Sequence, residues 1–152
     1  MREIKFRGKR LDNGEWVVGS YIEAENRDRS IAHQIVPYES GEAVREVDPA
    51  TVGQYTGLKD RNNLEIYEGD VVELVEKSVC IRTVGYQRSD CHCFGKRLIV
   101  RWFPSGFMLS DQMRFKEPNT SGNVRQYDFW NNTPFLCMVG NIHDNPELLK
   151  TE

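Results

Sequence analysis

A mainly β fold is what this 152-residue sequence predicts. Three observations carry that expectation. Short runs alternate apolar and polar residues, as a strand with one buried face requires. β-branched and aromatic residues fill those runs, with Gly, Asn and Asp punctuating the gaps. Helical periodicity is scarce along the chain.

The elements follow in order. Ile4 and Phe6 alternate with Glu3, Lys5 and Arg7. Asp12-Asn13-Gly14 comes next, and Asn-Gly is a strong hairpin signal because both residues tolerate positive φ. The run from Glu15 to Ile22 is rich in β-branched and aromatic residues, so residues 3–22 are expected to form a hairpin. Residues 23–30 (EAENRDRS) are polar apart from Ala24 and read as a surface loop. Residues 31–38 return as a third strand stopped by Pro37. The acidic, turn-rich segment 39–50 is expected to connect rather than pack.

The stretch VGQYTGLKDRNNLEIYEGDVV, residues 52–72, is dense with breakers. Val52-Gly53-Gln54-Tyr55 reads as a short strand. Asn62-Asn63 can close a tight bend, since Asn is second to Gly in tolerating the left-handed region. Leu64 to Tyr67 is a brief extended piece, and Glu68-Gly69-Asp70 turns the chain into residues 71–75. Strands this short, reversing this often, suit a small barrel. Residues 79–86 and 98–103 add two strands, and Pro104-Ser105-Gly106 turns the second into 107–109. Residues 110–134 are polar and Asn-rich, with Tyr127, Phe129 and Trp130 expected to cap an open end of the core. Residues 135–142 look like a buried final strand. Asn145 can then cap, Pro146 suits a first helical position and Glu147 favours the helix N-terminus. One or two helical turns should fold Leu148 and Leu149 back onto the body.

A chain of this size can bury about 68–70% of its unfolded surface, so no metal or disulfide is required to hold it. The division expected is an N-terminal β-hairpin subdomain, residues 1–50, packed on a barrel region, residues 51–152, as one compact unit. The formal net charge of −3 argues against a general polyanion binder. Charge is nevertheless uneven. Arg2, Lys5, Arg7, Lys9 and Arg10 against Glu3 give residues 1–10 a net +4, while residues 60–76 carry −5. Opposed segments of this kind can meet within a fold or between copies. The charged start has no apolar core of a secretory signal, and no window approaches the ~20 apolar residues of a membrane helix. The expected location is the cytoplasm of a bacterial host, with Cys80, Cys91, Cys93 and Cys137 reduced.

Three separated blocks resemble the YopX family of small phage and prophage proteins: REIKFRGKRLDNGEWVVGSYI at the start, VGQYTGLKDRNNLEIYEGDVVEL in the middle and MVGNIHDNPELL at the end. The family pattern usually has Gly where Asn63 stands, and an aromatic near His143. The resemblance spans nearly the whole chain. It implies a mostly β protein whose second half looks like an SH3-type barrel, and it implies no reaction.

Candidate sites are few. Cys91-His92-Cys93, with Cys80 upstream, offers zinc-type ligands. Paired zinc cysteines are usually separated by two residues or more, and in an extended segment His92 points away from its neighbours. No metal is therefore assigned, and the default is a polar loop whose sulfurs are incidental. The same residues make a poor nucleophile pair, with no third group to orient the base. His33 and His143 stand alone, and no phosphate loop, HExxH or GxSxG is present. The carboxylates of 60–76 do not follow an EF-hand order and read as a solvated face.

The best case for binding is basic. Alternation projects Lys5, Arg7 and Lys9 from one face of the first strand, with Arg2, Arg10, Lys96, Arg97 and Arg101 elsewhere. Trp16, Tyr21 or Trp102 could stack bases beside them. The bland account is that such cations keep an edge strand soluble. The expected function is thus a phage-derived, non-enzymatic binding or assembly module without a cofactor, acting on a protein partner or its own copies. The alternative is a nucleic-acid-binding small barrel using the basic first strand, and an enzyme whose site cannot be connected by sequence is the third reading.

Overall fold

The computed structural model describes residues 3–39, 41–75, 95–104, 106–110, 126–128 and 133–149. It is mainly β, and the chain divides into two compact units, Met1–Gly57 and Leu58–Glu152.

The first unit is a sheet built around a long hairpin. Strand β1, Phe6–Lys9, pairs antiparallel with β2, Trp16–Glu25, and β2 with β3, Ile31–Pro37. β4, Arg45–Glu46, adds to β3, and β5, Gly53–Lys59, pairs with the free side of β1. The strand order is β4-β3-β2-β1-β5, with β6 following β5. The expected first hairpin is present. Its turn closes through Arg10 N–H donating to the Glu15 carbonyl at 2.9 Å, and positive φ falls on Gly14, at 73°, rather than on both turn residues.

Two expectations are corrected in this unit. Residues 23–30 are not all loop, because β2 runs on through Glu25 and only 26–30 turn. That end of the hairpin carries solvent on both faces, so its polar residues hide the strand. Segment 39–50 also packs: Val47 is buried and bridges Arg10, with Ile35 beside it under Gly8. Asp48 then caps the 3₁₀ turn Pro49–Thr51 by accepting from the Ala50 N–H at 3.0 Å. This turn anchors the end of β1, since Lys9 N–H donates to Thr51 Oγ1 at 2.8 Å and its carbonyl accepts from Asp48 N–H at 2.9 Å.

In the second unit, β6 is Glu65–Tyr67, β7 Asp70–Leu74, β8 Arg97–Phe103, β9 Gly106–Ser110, β10 Gln126–Asp128 and β11 Leu136–Asn141. Five of these form an antiparallel sheet ordered β10-β9-β8-β7-β11. The core packs Val72, Leu74, Leu98, Val100, Phe107 and Leu109 with Ile66 and Leu136. The punctuation of residues 52–72 is put to use: Asn63 and Gly69 take φ of 66° and 85°, turning β5 into β6 and β6 into β7.

Closure into a barrel is not seen among the described residues; the sheet is open, with β10 and β11 at its ends. The final strand is likewise an edge rather than a buried strand. Leu136 is buried, but Cys137 and Met138 are half-buried and Val139 is exposed at a bulge. The C-terminal turn is a single 3₁₀ piece, Pro146–Leu149. It sits so close to Gly140 that a Cβ there would lie 2.6 Å from Asn145 Oδ1 and Leu148 Cδ1. The strand expected over 79–86, the Cys80/Cys91/His92/Cys93 group, Phe129 and Trp130 lie outside the described residues.

Candidate functional site

The outward face of the first sheet gathers three of the basic residues singled out by alternation. Arg7 pairs with Val18 and Lys9 with Trp16 across the β1–β2 ladder, so all four share one face. The Arg7 guanidinium lies 4.7 Å from the Trp16 ring centroid and Lys9 Nζ 5.5 Å from it. Such contacts contribute about 0.5–1 kcal/mol each at exposed sites. Lys5 continues the row, 4.6 Å above the Tyr55 ring and 3.1 Å from Glu3. It is buried, at 7% exposed, so the expected row of solvated cations is shorter by one. The cations are packed against rings as much as they are displayed.

Next to this basic column the same face changes character. On β2 it presents Trp16, Val18, Ser20, Ile22 and Ala24, and on β3 Ala32, Gln34 and Val36. None is charged. A solvent-facing sheet surface normally carries polar and charged residues, yet Val18, Ile22 and Val36 are 38%, 41% and 37% exposed. Beyond them, on β4, Glu46 stands level with Gln34.

The remaining predicted residues have contacts of their own. Arg10 bonds Asp12 at 2.9 and 2.6 Å, which raises its own pKa and lowers that of Asp12. Arg97, Arg101 and Trp102 belong to β8 in the second unit, where alternation sends the two arginines to one side and Trp102 to the other. Arg97 donates to the Leu148 carbonyl at 3.1 Å. Burial pulls the Arg101 guanidinium below its ordinary pKa, opposed by the nearby Glu68. Trp102 meets Phe107 edge-on, with centroids 4.9 Å apart.

Among the described residues of the acidic segment 60–76, no carboxylate is exposed. Asp60 and Asp70 are buried, and both accept hydrogen bonds from backbone N–H groups. Two carboxylates expected on a solvated face are instead pinning turns.

Sequence reasoning missed one cluster on the opposite face of the hairpin. Tyr21 Oη donates to Glu23 at 3.0 Å and lies 2.5 Å from His33 Nδ1, while its ring stacks on the imidazole. Burial, then the Glu23 hydrogen bond and charge, push the Tyr21 phenol up to about 12. The cluster holds a proton firmly, and Phe6 closes one side of it at 5.6 Å between ring centroids. Extending β2 to Glu25 would have set Glu23 opposite His33 and revealed the group. Among the described residues no cluster of three or more His, Cys, Asp or Glu could hold a metal.

Comparison with known proteins agrees with this architecture. The family described as YopX protein matches residues 5–150. The crystal structure of protein EF1440 from Enterococcus faecalis superposes with a TM-score of 0.52 at 19% identity, covering 99% of this chain and 100% of that one. That likeness concerns the fold. No curated protein matches the chain.

Proposed function

This chain belongs to the YopX family, and from that premise and the outward face of its first sheet we infer a non-enzymatic binding or assembly module that engages protein. The reading takes it as phage- or prophage-encoded and working in the cytoplasm of its host, with no reaction and no cofactor assigned. One observation carries it: Val18, Ile22 and Val36 stand exposed on two strand columns that present no charge. Contiguous apolar surface of this kind, flanked by charge, marks interaction sites. The sheet edges support the same reading. β4, at one edge of the first sheet, has two residues, too short to template an added strand. A partner is therefore met through the face.

The test is capture from extracts of host cells by immobilised protein, alongside Ile22→Lys. A partner that binds the parent reproducibly and is lost with the variant supports the reading. Equal capture by both proteins rejects it, as does capture by neither when the parent also fails to self-associate in light scattering.

Nucleic-acid binding by β1 is the second reading, favoured by three same-face cations beside aromatic rings. Against it, the Trp16 ring already carries Arg7 and Lys9, so a base stacking there would have to displace a cation. Binding of this type weakens steeply with salt as counterions are released. Absence of any retention of single-stranded oligonucleotides at low salt removes it.

A further inference from the structure

We propose that Tyr21, Glu23 and His33 form a site for a divalent transition-metal ion of the zinc and copper kind. The site lies on the other side of the hairpin from the uncharged columns and does not depend on the partner-binding reading.

Strand register makes the site. Tyr21 and Glu23 are two residues apart on β2 and so project from one side, and His33 stands opposite Glu23 on β3. A phenol, a carboxylate and an imidazole thus converge from two paired strands. Their donor atoms are mutual neighbours: Tyr21 Oη lies 2.5 Å from His33 Nδ1 and 3.0 Å from Glu23 Oε1, and Nδ1 lies 3.8 Å from Oε1. Nitrogen and oxygen ligands held about 2.1 Å from one ion, at right or tetrahedral angles, are about 3.0–3.4 Å from one another. The three observed separations straddle that interval. Parting Oη from Nδ1 by about half an ångström, and closing Nδ1 on Oε1 by a similar amount, gives the spacing one ion requires. Each donor ends a rotatable side chain on a fixed ladder, so the strands need not move.

Charge favours the exchange of a proton for a metal. The Tyr21 hydroxyl has one proton to give and two neighbours, whereas a cation takes a lone pair from all three donors. Burial and the Glu23 carboxylate, which push the phenol up to about 12, penalise a bare phenolate. A cation between the same groups offsets that penalty. Metal entry therefore releases the phenolic proton, and affinity rises with pH. Glu25 adds a carboxylate on this side of β2, and Arg45, level with Ile35 on β4, is held by Glu42 at 2.9 Å.

The donors also select the metal. An imidazole with oxygen partners suits zinc, copper and nickel, while calcium and magnesium seek shells of oxygen alone. Three protein ligands leave a position for water beside the exposed Glu23. The group is not a cluster of His, Cys, Asp and Glu, because its third member is a phenol.

Titration of the purified chain with Zn²⁺ at about pH 8 tests the site. Zn²⁺ is colourless, so an ultraviolet difference spectrum of tyrosinate type, saturating at one ion per chain, reports the phenol as a ligand. The affinity should fall as the pH is lowered to about 6. Tyr21→Phe should abolish the spectrum, and both it and His33→Gln should weaken binding by about tenfold or more, with unchanged circular dichroism. Mg²⁺ should give no spectrum. Zn²⁺ bound without the tyrosinate signal, or equally well by Tyr21→Phe, resides elsewhere and overturns the proposal. So does an absence of binding at about 1 mM Zn²⁺.

Discussion

The carboxylate of Asp60 accepts a hydrogen bond from the backbone N–H of Met138 at 2.9 Å, joining positions 78 residues apart. Its other oxygen accepts from the N–H groups of Asn62 and Leu64 at 2.8 and 2.9 Å. One buried side chain thus shapes the β5–β6 turn and fastens it to β11. Replacing it with Ala strands three amide donors, and loss of charge-assisted bonds of this sort should cost about 3 kcal/mol. Urea denaturation of Asp60→Ala is the check, with Asp60→Asn expected to recover part of the loss because its amide oxygen can still accept.

Gly19 should be irreplaceable where Gly14 is not. A Cβ at Gly19 would fall 1.9 Å from the Val36 carbonyl oxygen, backbone that can move only by parting β2 from β3. Gly14 has positive φ but open space around its Cβ position. Gly14→Ala should therefore cost about 1–2 kcal/mol of left-handed strain, while Gly19→Ala should abolish the cooperative transition of the first unit. Comparable midpoints for the two would refute the close approach.

Arg29 adopts a φ of 68° at the exposed tip of the β2–β3 hairpin. Relief of the left-handed strain, less the extra freedom Gly gains when unfolded, should make Arg29→Gly more stable by about 0.5–1 kcal/mol. Thermal denaturation of the pair measures it, and a lower midpoint for the Gly variant would contradict it.

Alkaline pH should find Tyr21 late. Its folded pKa is raised from 10.0 to about 12, chiefly by burial, with Glu23 adding to the shift. In this range the folded state binds the proton more tightly than the unfolded one, so the contribution is whole below pH 10 and lost as pH climbs towards 12. Tyrosinate absorbance followed against pH should lose one late-titrating step in Tyr21→Phe. An unchanged titration curve in that variant would place the shift elsewhere.

Much of the β framework was readable residue by residue, and its failures have physical causes. Asn63 announces the bend it makes because few side chains tolerate that backbone. The run of residues 98–103 announces β8 because burial selects β-branched and aromatic groups. Glu23 to Glu25 say nothing of strand, since alternation is visible only where one face is dry and the other wet. With that strand end unread, the register that unites Tyr21, Glu23 and His33 could not be counted. Asp60 was unreadable for another reason: a side chain serving an amide 78 residues away leaves no local trace. The row of Lys5, Arg7 and Lys9 and the Trp16 ring beside it were legible in the sequence, but the ring over which Lys5 sits was not, because Tyr55 arrives from a distant strand.

The two hydrogen bonds on the outer side of β11 have a consequence for strand addition. β11, at one margin of its sheet, has its outward Leu136 carbonyl and Met138 amide already occupied by Arg61 and Asp60. A margin guarded in this way cannot take up another chain's strand, so rim-to-rim growth into filaments is closed off along β11.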